Sequence, residues 1–283
     1  MEDLHHTLID AEALQARLAA GAPTVVLDAR FELSAPPAGR AAYAAGHVPG
    51  ARYAHLDDDL AGACTGHNGR HPLPGRADFA ARVGAWGITP GVQVVAYDDQ
   101  GGAIAARAWW LLRWLGHDAV AVLDGGWSAW VGSGGAVETT APTPVHAALP
   151  YPASDAPAMP TVQADALLAQ LGRVRLLDAR TGERFRGEVE PLDPVAGHIP
   201  GATLRCFRDN LAPGGRFKPA ALLRAEFDAL ASPPASVVHQ CGSGVTACHN
   251  LLAMAHAGLD GSVLYPGSWS EWCADPRRPV AIG

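Results

Sequence analysis

The sequence predicts an α/β fold written twice, two parallel sheets each flanked by helices. Three observations predict it. First, motifs recur in the same order. Val25-Val26-Leu27-Asp28-Ala29-Arg30 returns as Arg175-Leu176-Leu177-Asp178-Ala179-Arg180, and Gly46-His47-Val48-Pro49-Gly50-Ala51 as Gly197-His198-Ile199-Pro200-Gly201-Ala202. Leu123-Asp124-Gly125-Gly126-Trp127-Ser128-Ala129-Trp130 is answered by Tyr265-Pro266-Gly267-Ser268-Trp269-Ser270-Glu271-Trp272. The pairs Asp28/Asp178, His47/His198 and Trp127/Trp269 lie 150, 151 and 142 residues apart, which denotes a duplicated domain and not a short-period solenoid. Second, each half alternates apolar β-branched runs with helical periodicity. Third, the strand runs are continuously apolar, as strands covered on both faces are.

The elements follow in order. Asp10 is placed to cap an amphipathic helix over Ala11–Ala20. Strands are expected at Val25–Asp28, Val92–Tyr97 and Ala119–Leu123. Residues 138–160, rich in Pro, Ala and Thr, read as an extended linker wrapping the surface. Thr161 is placed to cap a helix over Val162–Leu171, and strands follow at Arg175–Asp178, Ser236–His239 and Ser262–Tyr265. The expected limits are a first domain at 1–137 and a second at 161–283.

Composition narrows the function. The 283 residues are 48% hydrophobic and 17% charged, enough for one large domain or two ordinary ones. The formal net charge of −7 and the absence of a Lys/Arg-rich run argue against nucleic-acid or anionic-membrane partners. Met1-Glu2-Asp3-Leu4-His5-His6 lacks the basic start of a signal peptide, and no apolar run reaches the roughly 18–20 residues of a membrane span. The expectation is a soluble cytoplasmic protein. Five cysteines, an odd number and widely spaced, do not suggest a disulfide framework; with no CxxC or HExxH spacing, no metal or organic cofactor is expected.

The run Val237-Val238-His239-Gln240-Cys241-Gly242-Ser243-Gly244-Val245-Thr246-Ala247 carries the chemistry. It reads as a buried strand, a cysteine, a tight Gly-containing loop and a helix through Cys248–Met254. Loop amides and a helix N-terminus both favour negative charge, so Cys241 suits a thiolate or a bound anion. The bland alternative is an inert buried thiol at a strand end. Aligning Val94–Tyr97 with Val237–Gln240 sets Asp98 opposite Cys241, so one half keeps the thiol while the other carries a carboxylate that would repel an anionic substrate.

Together these residues resemble the tandem rhodanese-domain sulfurtransferases over nearly the whole chain. The carrying elements are the paired Asp-Ala-Arg strands, the paired Gly-His-(Val/Ile)-Pro-Gly-Ala turns, the paired Trp motifs and Cys-Gly-Ser-Gly-Val-Thr-Ala. Within that family, Cys-Gly-Ser-Gly is similar to the 3-mercaptopyruvate enzymes, whereas thiosulfate-using relatives more often carry two basic residues between the cysteine and the second glycine. The resemblance implies that Cys241 takes a sulfur atom from 3-mercaptopyruvate, or alternatively from thiosulfate, holds it as a persulfide and passes it to a thiol or to cyanide. A thioredoxin-like dithiol is the acceptor it suggests. It further implies that Gly242, Gly244, Val245 and Thr246 bind the sulfur through loop amides, and that Ser243 acts with Asp57 and His71. Asp57 also reads as part of a solvated acidic turn with Asp58 and Asp59, and His71 as an ordinary loop histidine.

Arg184 falls at the family's substrate-arginine position, where a guanidinium suits a carboxylate or sulfonate. Arg186 either assists it or pairs at the surface. One departure stands out: the family places a second arginine shortly after a Glu-Pro pair, where this chain reads Glu190-Pro191-Leu192-Asp193. Asp28, Asp178, His47 and His198 recur in the half without a thiol and so read as scaffold. Phosphatase chemistry is excluded, since no arginine closes the loop after Cys241. The remaining alternative is a non-enzymatic sulfur carrier or regulatory module; an inactive module is expected to lack the cysteine, as the first half does, so Cys241 argues against it.

Overall fold

The computed structural model describes residues 4–140, 142, 149–230 and 233–283. The chain forms two compact units. The first comprises Met1–Ala61, Pro74–Ala158 and Pro213–Phe217; the second comprises Gly62–Leu73, Met159–Ala212 and Lys218–Gly283. The segment Gly62–Leu73, although it belongs to the first half of the sequence, is thus part of the second unit.

In the first unit the order is β1 (Leu8–Ile9), α1 (Ala11–Ala19), β2 (Thr24–Asp28), α2 (Pro37–Ala45), β3 (Arg52–Tyr53), α3 (Leu56–Asp59) and α4 (Arg76–Ala85). It continues with β4 (Gln93–Tyr97), α5 (Ala105–Leu115), β5 (Val120–Leu123) and α6 (Gly126–Gly132). The five strands are parallel in the order β1-β5-β4-β2-β3. Every residue of β4 is buried, as the continuous apolar run predicts for a central parallel strand. Asp10 caps α1 as expected, accepting from the Ala13 amide at 2.7 Å.

The second unit runs α7 (Ala164–Gln170), β6 (Arg175–Asp178), α8 (Gly182–Arg186), β7 (Thr203–Leu204), a 3-10 turn at Phe207–Asn210, and α9 (Ala220–Leu230). Then come β8 (Val237–Gln240), α10 (Ala247–His256), β9 (Val263–Leu264) and α11 (Ser268–Trp272). Its four parallel strands follow the order β7-β6-β8-β9. Here Thr161 does not cap a helix. It forms a parallel bridge with Leu264, so the backbone is extended there and α7 starts only at Ala164, with no side-chain cap. The predicted strands hold to within a residue or two; the two-residue edge strands β1, β3 and β7 are additional. Part of the expected linker, 141 and 143–148, lies outside the described residues; further on, Tyr151, Ser154 and Ala158 donate backbone hydrogen bonds to Ala80, Leu115 and Trp114.

The repeated motifs build one frame twice. Arg30 Nε donates to Asp28 and Nη2 to the Gly46 carbonyl at 2.6 Å; Arg180 repeats this with Asp178 and with Gly197 at 2.8 Å. All four charged residues are buried, and each guanidinium lies over a tryptophan, Trp127 at 4.5 Å and Trp269 at 4.8 Å. His47 stacks on Tyr43 and His198 on Phe185, each with Nδ1 2.8 Å from the carbonyl of its stacking partner. A buried charge is tolerated when paired and hydrogen-bonded, and these pairs tie each strand end to the following turn. The scaffold reading of Asp28, Asp178, His47 and His198 therefore holds.

Candidate active site

Cys241 stands at the carboxyl end of β8, where ligand sites of open parallel sheets form. It is 1% exposed. Its amide donates to Ser268 Oγ at 3.1 Å, its carbonyl accepts from Trp269 N at 3.0 Å, and the Gly242 carbonyl accepts from Ser270 N at 2.9 Å. The first turn of α11 thus pins the peptide groups on both sides of the cysteine. Ser268 is the one non-glycine residue with positive φ among the described residues (54°), and its hydroxyl holds that conformation by donating to the Tyr265 carbonyl. Gly244 also has positive φ (77°), and a Cβ there would collide with the Pro266 carbonyl oxygen. Its amide donates to Cys241 Sγ at 3.2 Å and its carbonyl accepts from Cys248 Sγ at 3.3 Å. Helix α10 then begins at Ala247, its N-terminus directed to the same loop without a side-chain cap.

Two further groups come from Gly62–Leu73. His71 Nδ1 lies 2.7 Å from Ser243 Oγ, both residues buried. The segment reaches this position through α11 as well: the Arg70 amide donates to Ser270 Oγ at 3.1 Å, and Gly69 lies so close to Gly267 that a Cβ would stand 2.7 Å from its carbonyl oxygen. One turn, Gly267–Ser270, therefore sets both the nucleophile loop and the histidine. Asp57 lies in the first unit, in the first turn of α3; its amide lies 3.2 Å from His55 Nδ1, and burial pushes its carboxyl above the ordinary value.

Arg184, on α8, is held by two carboxylates. Its Nε and Nη2 donate to Glu190 at 3.3 and 2.7 Å, and Nη2 also reaches Asp193 at 3.3 Å. Both acidic side chains are only 3% exposed, and Glu190 additionally accepts from the amides of Leu192 and Asp193, which closes the turn. Arg184 Nη1 points to the loop, 3.2 Å from where a Cβ on Gly242 would stand. Arg186 is engaged elsewhere, in a half-exposed pair with Glu188 at 2.7 Å, so of its two readings the surface pair is the one formed. Asp193, the position of the missing arginine, pairs with Arg70 as well as Arg184. Sequence reading gave no role to Glu190 or Arg70; the available signal was that Arg70 adjoins His71 and that Glu190 lies three residues before Asp193.

The other thiols differ from Cys241. Burial pushes the Cys273 thiol up to about 11 and raises that of Cys206, and neither has the Ser–His pair and guanidinium of the Cys241 loop beside it in sequence. A cysteine whose sulfur meets a backbone amide, next to a Ser–His pair and a guanidinium, has the parts for nucleophilic attack, proton movement and anion binding.

Comparison with known proteins agrees with this geometry. The family model for the rhodanese-like domain matches twice, at residues 10–133 and 163–275. The chain is 50% identical over 282 residues to a Pseudomonas aeruginosa protein named a probable 3-mercaptopyruvate sulfurtransferase, covering 98% of each. It is 43% identical over 284 residues to a Mycobacterium tuberculosis protein provisionally named a thiosulfate sulfurtransferase, covering 100% of this chain and 99% of that one. The solved 3-mercaptopyruvate sulfurtransferase of Leishmania major superposes with a TM-score of 0.80 at 31% identity, over 94% of this chain and 74% of that one. The chain belongs to the rhodanese family, as an enzyme of the sulfurtransferase class with two tandem domains.

Proposed function

We propose that the protein transfers sulfur from 3-mercaptopyruvate, through a persulfide on Cys241, to a thiol acceptor. The observation that carries the donor assignment is the hydrogen bond between His71 and Ser243 two residues from the nucleophile. Breaking a carbon–sulfur bond leaves electrons on carbon that need a proton; thiosulfate cleavage releases sulfite and needs none. The Cys241 thiolate attacks the donor sulfur, the sulfur–carbon bond breaks, and the pair of electrons goes to C3 of the enolate. The proton first carried by the donor thiol ends on that carbon, giving pyruvate and Cys241–S–S⁻. Ser243 and His71 are the groups that move it, and Asp57 is the third residue of this reading. Amides of Gly242, Gly244, Val245 and Thr246 hold the terminal sulfur, and Arg184 binds the donor carboxylate. The acceptor thiolate then attacks the outer sulfur and restores the Cys241 thiolate, a ping-pong cycle.

The acceptor is a dithiol of the thioredoxin kind and the setting the cytoplasm, where the free thiols of all five cysteines persist. No helix among the described residues is long and apolar enough to cross a membrane. Thiosulfate as donor is the second reading, favoured by the name of the Mycobacterium tuberculosis relative. Side-by-side assays decide. With 3-mercaptopyruvate the intact protein gains one sulfur atom and releases one equivalent of pyruvate; faster turnover with thiosulfate would contradict the assignment.

A further inference from the structure

We infer that the amino end of the second sheet binds a doubly charged tetrahedral oxyanion of the phosphate or sulfate class, held by Arg173, Arg175 and the Gly201 amide. The inference goes beyond the proposed donor and does not rest on it.

A cavity of about 280 Å³ opens there, lined by Gly172, Arg173, Val174, Arg175, Gly201 and Ser236. Arg175 is the first residue of β6 and pairs with Val237, the first of β8, whereas Cys241 follows the last residue of β8. The cavity therefore lies at the end of the sheet opposite the nucleophile. Both arginines are exposed, and neither side chain has an ion pair or hydrogen bond with another described residue. In a chain of net charge −7, two unpaired guanidiniums lining one cavity are unexpected. Their mutual repulsion is relieved when one dianion neutralises both, and their planar N–H groups suit its oxygens. A Cβ on Gly172 or Gly201 would meet nothing within 4 Å, so the backbone is open to an incoming group on both sides.

The first unit shows how the same turn is satisfied from within the chain. There the His47 amide donates to the Glu138 carbonyl at 2.8 Å, and Glu138 Oε2 accepts from the Gly50 amide at 2.7 Å. In the second unit the His198 amide makes the same bond to the Ala281 carbonyl, at 2.8 Å. Ala281 thus occupies the place of Glu138 and has no carboxylate to offer. The Gly201 amide, counterpart of Gly50, has no hydrogen-bond partner among the described residues. The aligned positions also change in charge: Pro23 and Val25 of the first copy are Arg173 and Arg175 in the second. The tethered carboxylate is gone and two cations line the cavity, which suits an anion arriving from solution. Two guanidiniums and an amide match two negative charges on four oxygens.

The test follows the backbone amides of the isotope-labelled full-length protein by NMR as inorganic phosphate is added, with chloride holding the ionic strength constant. The Gly201 resonance shifts saturably; sulfate gives a similar response, and acetate, with one charge, binds about tenfold more weakly or worse. In the double variant Arg173→Ser, Arg175→Val, the phosphate affinity read at Gly201 falls about tenfold or more. Ala281→Glu, which rebuilds the carboxylate of the first copy, shifts Gly201 before any phosphate is added and blocks the response to it. Both variants keep the parent's amide spectrum elsewhere in the unit, which reports their fold. A Gly201 resonance that moves no more with phosphate than with chloride, or as much in the double variant as in the parent, overturns the site. So does a response confined to the Cys241 loop. Acetate binding as tightly as phosphate overturns the doubly charged class, and a full phosphate response in Ala281→Glu overturns the correspondence with Glu138.

Discussion

The loops after β4 and β8 occupy the same place in two copies of one sheet, yet they treat negative charge in opposite ways. After β4, Asp98 is fully buried and consumes the loop amides itself. Oδ1 accepts from Gln100 N and Gly102 N, both at 2.8 Å; Oδ2 accepts from Ile104 N at 2.7 Å and Ala105 N at 2.9 Å. After β8, Cys241 sulfur accepts from Gly244 N, in a loop one residue shorter before its helix. The frame around the two is shared: Trp127 N donates to the Asp98 carbonyl at 2.8 Å, as Trp269 N does to that of Cys241 at 3.0 Å. An anion nest filled by a tethered carboxylate is a structural cap, and the same nest around a sulfur is a reaction site. Asp98 therefore does more than repel an anionic substrate. It satisfies the amides that such a substrate would need.

The largest effect should come from removing the sulfur. Cys241→Ser lowers turnover by about a thousandfold or more with either donor, measured as pyruvate or sulfite release, while the fold persists. Next, Ser243→Ala and His71→Asn lower kcat with 3-mercaptopyruvate by about a hundredfold, the lower range for a positioned proton-transfer group, and leave thiosulfate turnover far less affected. Equal losses with both donors would break the link between this pair and the carbon-bound proton. In the silent loop, Asp98→Asn turns two acceptor oxygens into one acceptor and one donor facing amides. It should cost roughly 1.5–3 kcal/mol in urea unfolding, with persulfide formation at Cys241 retained.

A smaller contrast lies two residues earlier, within the strands. Ala96 in β4 corresponds to His239 in β8, a fully buried imidazole whose Nε2 lies 3.2 Å from Met254 Sδ. Burial holds its pKa at about 3, below the ordinary 6.5. The unfolded chain therefore binds a proton that the folded one refuses, and stability falls as pH drops below about 6.5, by up to about 1.4 kcal/mol per pH unit until about 3. In His239→Gln, urea unfolding at pH 7.5 and 5.5 should differ by about 1 kcal/mol less than in the parent protein.

Much of this was legible in the chain, and the limits have physical causes. The duplicated strands and turns were readable because buried ion pairs such as Asp28–Arg30 and Asp178–Arg180 need fixed partners at fixed spacing. Cys241, Ser243 and Arg184 were readable because their motifs are local. Thr161 misled because helix capping and an extended bridge both suit a threonine, and pairing with Leu264 is a tertiary fact. Arg186 is engaged by Glu188 for a similar reason: spacing along α8 does not say which guanidinium finds the buried carboxylates. Asp193 read as the loss of a charge because Arg70 lies 123 residues away in sequence.

The central claim is that one cysteine of five carries the sulfur. Intact-mass analysis after incubation with 3-mercaptopyruvate, followed by peptide mapping of the persulfide, tests it most directly. The account predicts one added sulfur, located on Cys241, and none in Cys241→Ser; sulfur mapped to another cysteine, or retained by the variant, would contradict it.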